Sequence, residues 1–267
     1  MMNNANEISH ETKLYGFVGE EAGQSSLSAS LNRLFKAKNK DAMMIPMNIR
    51  RDDFFFTLSN LRKSHVNGAV ISSEFVSDTV EILDVVPGIV KRSGMCDILI
   101  RDGEKLSGDV FSIRVLTEML KDNFAHSIAV IGVNHYAKAF SFFSCGFNVS
   151  YFHDNLEELM AFTKELEISN ADINRIAQGM EVDFSPYDAV LDFSEFESFE
   201  MLSNLAQINF DMKNSKQFSA LRAKAQEFTK KYIGYDDMIE ELSQGAYNFF
   251  EKKGHLKYEK PKSTFEG

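Results

Sequence analysis

Residues 128–140, IAVIGVNHYAKAF, place four apolar residues before Gly132, then a short polar break, then a run with helical spacing. A strand that turns through a glycine into a helix can hold an anion. The first N–H groups of the helix lack intrahelical partners, and its dipole is positive there. A dinucleotide pyrophosphate asks for more, because further glycines let the backbone approach it without a Cβ in the way. Here Val133, Asn134 and His135 follow Gly132. Asn134 tolerates left-handed backbone, which keeps the turn feasible. His135 either flanks an anion site or is a solvent-facing loop residue. Asp154 lies 22 positions after Gly132, a spacing that suits a ribose-binding acid and equally an ordinary strand-end loop.

Other constellations carry less chemistry. Ser25-Ser26-x-Ser28 could hold a phosphate or carboxylate, or cap the helix that starts there. Glu74 and Asp78, four apart, could share one side of a helix as a carboxylate pair or as a solvated face. Asp183, Asp188 and Asp192 have no His or Cys companions and do not read as a metal site. The six histidines assemble no triad without free choice among them. Cys96 and Cys145 form no CxxC or ligand set, so we expect no metal and two small buried thiols in a reduced, cytoplasmic setting.

Composition narrows the classes further. The 267 residues are 44% hydrophobic and 25% charged, an ordinary globular balance with enough chain for a sizeable core. The net charge of −10 and the absence of basic runs beyond pairs argue against nucleic acid, which is bound through clustered Lys and Arg. No apolar run approaches the ~20 residues of a membrane span. The opening MMNNANEISHETK is polar where a signal peptide is basic and then apolar, and reads as a short frayed tail. With 24 Phe and no Trp, the core should be filled by Phe.

Strands are expected at 13–18, 43–49, 68–72, 146–155, 187–194 and 207–212, and a hairpin over 95–110 turning at Asp102-Gly103. Helices are expected over 28–39, over 50–67 with Gly68 after its end, over 74–86, and over 113–123. The strand–Gly–helix–strand run from 127 to 155 is a βαβ unit, followed by a helix over 156–167. From about 217 to 253 the pattern is helical throughout, with Gly254 as its stop. The first ~110 residues thus alternate strand and helix around a mostly parallel sheet.

This order is similar to the shikimate dehydrogenase family over about residues 13–254. The similarity rests on Gly19 and Ser25 at the family's first serine motif, GAVISSEFV, RDGEKLSGD, DMKNSKQFSALRAKA, and above all QGAYNFFEKKG with Gln244. The resemblance implies an α/β protein with an N-terminal α/β substrate-type domain, residues 13–111 plus 235–267. A Rossmann-type doubly wound NAD(P)-binding-like domain, residues 112–234, follows, and the C-terminal helices return to the first. It also implies oxidoreductase chemistry on shikimate or a related hydroxy acid, in aromatic amino-acid biosynthesis.

At the family's functional positions the residue types change. Its proton-handling lysine and aspartate fall on Val76 and Ser112, which leaves no catalytic residue to assign. Its substrate asparagines fall on Val70, Asp97 and Val110, its second serine on Leu27 and its tyrosine on Asn214. The substrate pocket retains Ser25, Ser72, Asp97 and Gln244. On the nucleotide side the positions are Gly132, Asn134, His135 and Asp154, which imply no NAD(P) or weak NAD(P), with NAD favoured over NADP. The resulting expectation is a shikimate dehydrogenase-like protein without that activity. Its partners would be a small molecule in the interdomain cleft or another protein, with neither nucleic acid nor membrane.

Overall fold

The computed structural model describes residues 11–168, 171–177 and 179–252. The expected N-terminal tail, the stop at Gly254 and the C-terminal limit of the first domain lie outside the described residues.

The chain starts with β1 (Lys13–Gly19), α1 (Leu27–Ala37), β2 (Ala42–Asn48), α2 (Phe54–Asn60) and β3 (Val66–Ile71). Then come α3 (Gly88–Ser93), β4 (Ile98–Asp102) and β5 (Lys105–Asp109). These five strands form one sheet in the order β2-β1-β3-β4-β5. β1 runs parallel to both β2 and β3, whereas β4 is antiparallel to β3 and to β5. The sheet is therefore evenly mixed where a mostly parallel one was expected. For β4 and β5 the cause is local: Asp102 pairs with Lys105 across Gly103, whose φ is +60°, and so tight a turn can only join antiparallel strands.

α4 (Ser112–Asp122) leads into the second half: β6 (Ser127–Ile131), α5 (His135–Phe143), β7 (Asn148–His153), α6 (Leu156–Glu165) and β8 (Asp172–Arg175). β9 (Val182–Asp183), β10 (Ala189–Asp192), β11 (Leu202–Asn204), β12 (Ile208–Asp211), α7 (Ala220–Glu227), β13 (Lys231–Ile233) and α8 (Ile239–Glu251) complete it. Six of these strands form an all-parallel sheet in the order β13-β12-β10-β6-β7-β8, and β9 pairs with β11 separately. Ala189–Asp192 of β10 are buried at every position, as are Ile128–Ile131 of β6. Burial on both faces is what a parallel sheet covered by helices requires. The strand order reverses between β10 and β6, so their C-terminal ends border the crevice where doubly wound sheets take ligands.

The core is Phe-rich as expected, with Phe35, Phe54, Phe75, Phe140 and Phe249 fully buried. α8 returns to the first sheet: the Phe250 ring stacks on Tyr15 at 4.1 Å, and Tyr15 stacks on Phe35 at 5.7 Å. A Cβ on Gly68 of β3 would come 3.1 Å from Phe250 and 2.5 Å from the Leu99 carbonyl. Glycine is what lets that strand sit so close to its neighbour.

Four further expectations are corrected. Residues 74–86 form no α-helix but two 3₁₀ stretches, Ser73–Phe75 and Asp78–Ile82. Val76, Thr79, Val80 and Ile82 are β-branched and lose rotamer freedom in a helix, and the Thr79 hydroxyl bonds the Phe75 carbonyl instead. The helix expected to reach the residue before Gly68 ends at Asn60, followed by a 3₁₀ turn, and Gly68 lies inside β3. The 217–253 segment is interrupted by β13, which pairs with β12. α7 ends where Thr229 takes φ 55°, and a three-residue strand is too short to show a period. Cys96 is buried as expected, but Cys145 is exposed in the turn after α5.

Candidate functional site

The C-terminal ends of β1, β3 and β12 and the starts of α4, α5 and α8 surround one cavity of about 320 Å³. Gln24 and Ser25 reach it from the loop after β1, and Ser72 and Glu74 from the turn after β3. Asp97 comes from the residue before β4, and Ser112 from the first turn of α4. Tyr136 of α5 closes the far side, with Asn214–Gln217 after β12 and Tyr235 and Asp236 before α8. Ser25, Ser72, Asp97 and Ser112 therefore share one cavity although 87 positions separate the first from the last.

Asp97 is the polar centre of the wall and only 3% exposed. Its Oδ1 accepts from the Phe111 N–H at 2.7 Å, and its Oδ2 accepts from the Ser112 N–H at 3.0 Å and from the Ser112 hydroxyl. These donors sit at the N-terminus of α4, where the helix dipole favours an anion. Burial works against them and pushes the carboxyl up to about 6. The two oxygens of Glu74 accept from the Glu20 N–H (2.8 Å) and the Ser72 hydroxyl (2.5 Å). Asp236 accepts from the Ser215 N–H at 2.7 Å. Burial raises both Tyr136 and Tyr235 well above the usual phenol range, so both stay protonated donors.

Ser25 spends its hydroxyl on the Leu27 N–H (3.2 Å), and the Ser26 side chain makes no cap bond. Of the two readings of that serine cluster, the structure gives Ser25 the local role at the start of α1. Gln244 is exposed on α8, donates to Asn248 at 3.0 Å, and is not among the cavity walls. The motif predicts a pocket residue there, but the register of α8 turns Gln244 outward. Val76, 1% exposed, is buried in the core rather than on the cavity wall, as are Leu27, Val70 and Val110.

At the glycine turn, Gly132 takes φ +96°, and a Cβ there would lie 2.9 Å from the Phe193 backbone. Asn134 is extended (φ −74°, ψ −173°), so the left-handed role considered for it belongs to Gly132 alone. Its Oδ1 accepts from the Tyr136 N–H (3.0 Å) and the Ala137 N–H (3.3 Å), and its Nδ2 donates to the Phe193 carbonyl at 2.7 Å. Asn134 thus caps α5 with its own amide and ties the turn to the loop after β10. Two of the N–H groups at the start of α5, those of Tyr136 and Ala137, are thus already bonded within the chain. His135 is half-buried rather than solvent-facing. Its Nδ1 lies 3.5 Å from the Ser77 hydroxyl, its Nε2 has no partner among the described residues, and burial lowers its pKa. Asp154 is exposed beside His153, 3.4 Å from Nδ1, and Arg175 of β8 bonds its carbonyl. Neither His135 nor Asp154 borders the cavity.

The sequence pattern did not single out Tyr136, Tyr235, Asp236, Glu20 or Glu21 as wall residues. They come from three separate segments, and no local spacing joins them; only Tyr136, inside the glycine-turn stretch, stands beside a recognised feature. No group of His, Cys, Asp and Glu among the described residues is arranged to hold a metal, and no described helix is long and apolar enough to cross a membrane.

No family model matches the chain. A shikimate dehydrogenase (NADP(+)) from Clostridium perfringens is 26% identical over 131 residues. That stretch covers 48% of this chain and 48% of the relative, so the match spans about half of that enzyme's length. Among solved structures, the Ael1 enzyme from Pseudomonas putida superposes with a TM-score of 0.76 at 14% identity, covering 90% of this chain and 93% of that one. Shikimate dehydrogenase from Aquifex aeolicus gives a TM-score of 0.71 at 16% identity over 92% and 95% of the two chains. Over about half its length the chain is thus similar in sequence to a shikimate dehydrogenase, and it shares the fold of the solved ones.

Proposed function

We propose that the protein binds a small molecule in the cleft as a ligand-binding or interaction protein, without shikimate dehydrogenase activity. The observation that carries this reading is Val76. It stands at the position the family resemblance gives to a proton-handling lysine, and it is an aliphatic side chain buried in the core. Valine can neither donate nor accept a proton, and general acid–base catalysis needs a group within hydrogen-bond reach of the reacting atom. Ser112, at the paired aspartate position, already gives its hydroxyl to Asp97.

The nucleotide side supports the same reading. With Asn134 bonded across the start of α5, dinucleotide binding is absent or weak. Any residual binding favours NAD over NADP, because Asp154 would repel a 2′-phosphate. A cytoplasmic location accords with the thiol usage and stands as part of the proposal. The direct test is titration with NADH and NADPH, read by cofactor fluorescence and by thermal shift. The reading expects no saturable signal at the concentrations that saturate a working dehydrogenase. Clear cofactor-dependent stabilisation would count against it.

A second reading has one observation behind it. Asp97 is a buried carboxylate on a cleft wall with its pKa raised towards neutrality, the condition in which an acid can exchange protons near pH 7. In that reading the protein is an NAD(P)-dependent oxidoreductase acting on shikimate or a related hydroxy acid, with Asp97 as the proton-handling group. Turnover with shikimate or quinate that disappears in Asp97→Asn would establish it over the first.

A further inference from the structure

The cavity walls carry a charge balance that selects among ligands. Glu74 and Asp97 face it from inside, and Glu20, Glu21 and Asp236 stand on its rim. Lys216, also on the rim, is the one cationic wall residue. Among the described residues none of the five carboxylates is ion-paired; Glu74, Asp97 and Asp236 accept from neutral N–H and O–H donors. Arg51 comes near, but its guanidinium bonds the Glu74 carbonyl and pairs with Asp78 at 3.7 Å. Five carboxylates against one lysine around a partly desolvated space repel an anion and attract a cation, more strongly than they would in bulk water.

Two further features belong to the cavity itself. The Tyr136 and Tyr235 hydroxyls line it without a hydrogen-bond partner among the described residues, while Phe17, Ile71, Phe111 and Met212 supply apolar wall. Phenol hydroxyls left open at a cavity surface suit a ligand with its own hydroxyls, and the tyrosine faces suit a cation.

We infer that this cleft takes a small hydroxylated organic cation, an amine-bearing polyol or sugar, in place of a carboxylate. The inference rests on the reading of the cleft as a small-molecule site. Glu74 and Asp236 receive the ammonium group, Tyr136 and Tyr235 bond the hydroxyls, and Asp97 sets the negative potential of the floor.

Glucosamine, glucose and glucuronate test it, being one ring with a positive, a neutral and a negative substituent. Isothermal titration of the full chain should give glucosamine an affinity about tenfold or more above glucose, with glucuronate weaker still. The glucosamine affinity should fall as salt is raised. In Glu74→Gln/Asp236→Asn, amide oxygens can still accept from the Glu20 and Ser215 N–H groups. That variant should keep its fold, by circular dichroism and melting temperature, and lose the preference for glucosamine over glucose. Equal or tighter binding of glucose or glucuronate would overturn the inference while leaving a small-molecule cleft. Binding of none of the three would overturn the cleft reading and this inference together. A preference that survives in the double variant would place the cation elsewhere and likewise overturn it.

Discussion

At the scale of single residues, Gly132, Asn134 and Asp97 decide what the site can hold. Gly132→Ala adds a Cβ 2.9 Å from the Phe193 backbone at a positive φ. We expect a loss of about 2–4 kcal/mol in chemical denaturation. Asn134→Ala removes the α5 cap and leaves the Phe193 carbonyl unpaired, for a loss of about 1–2 kcal/mol by the same measurement. A neutral effect of the second change would mean that water caps the helix equally well.

Asp97 and Asp192 are raised to about 6, chiefly by burial. The folded protein then holds protons between pH about 4 and about 6 that the unfolded chain has released. Stability from these two groups therefore falls as pH rises through that window. Asp84, Asp183 and Asp188 are lowered by hydrogen bonds and act in the opposite sense, losing their contribution only as pH falls below the ordinary carboxylate range. His135, lowered by burial, opposes them in this window, but one imidazole is outweighed by two carboxyls, and the melting temperature should be higher at pH 5 than at pH 7.5. In Asp97→Asn that slope should become clearly shallower or reverse, since Asp192 alone is left to oppose His135. The slope is the readout because Asn cannot accept from both the Phe111 and Ser112 N–H groups, which moves the absolute melting temperature by itself. An unchanged slope would remove Asp97 from the account.

At the scale of elements, what could be read from the sequence depended on length and period. β1, α1, β6, α5 and the Asp102-Gly103 hairpin were legible because each carries an apolar run, an amphipathic stripe or a turn residue of defined geometry. β13 was not, because three residues at a sheet edge carry no period. The 3₁₀ stretches over Ser73–Ile82 were not, because spacing marks the buried side chains but not the helix type. The site was legible where a family motif fixed a wall position, as at Ser25, Ser72, Asp97 and Ser112. Gln244 shows the limit: its motif survives, yet α8 presents that residue to solvent. The return of α8 to the first sheet depends on Phe250 against Tyr15. Phe250→Ala should cost about 3–5 kcal/mol in denaturant unfolding. A loss below about 1 kcal/mol would show that α8 is held by other contacts.

At the scale of the whole molecule, two sheets are arranged so that the C-terminal ends of β1, β3 and β12 open on one cleft. This is the architecture that the solved dehydrogenases share with the chain. The framework positions that build it are glycines and apolar residues, and their physics does not depend on which reaction the cleft performs. At the positions the resemblance assigns to chemistry, Val76 is in the core, Ser112 is bonded to Asp97, and Asn134 caps α5. The central claim is that this chain keeps the scaffold without the reaction. Incubation of the purified protein with shikimate or quinate and NAD⁺ or NADP⁺, followed by absorbance of the reduced nicotinamide, tests it most directly. The account predicts no turnover above the no-enzyme rate with any of the four combinations. Steady, protein-dependent reduction of either cofactor would contradict it.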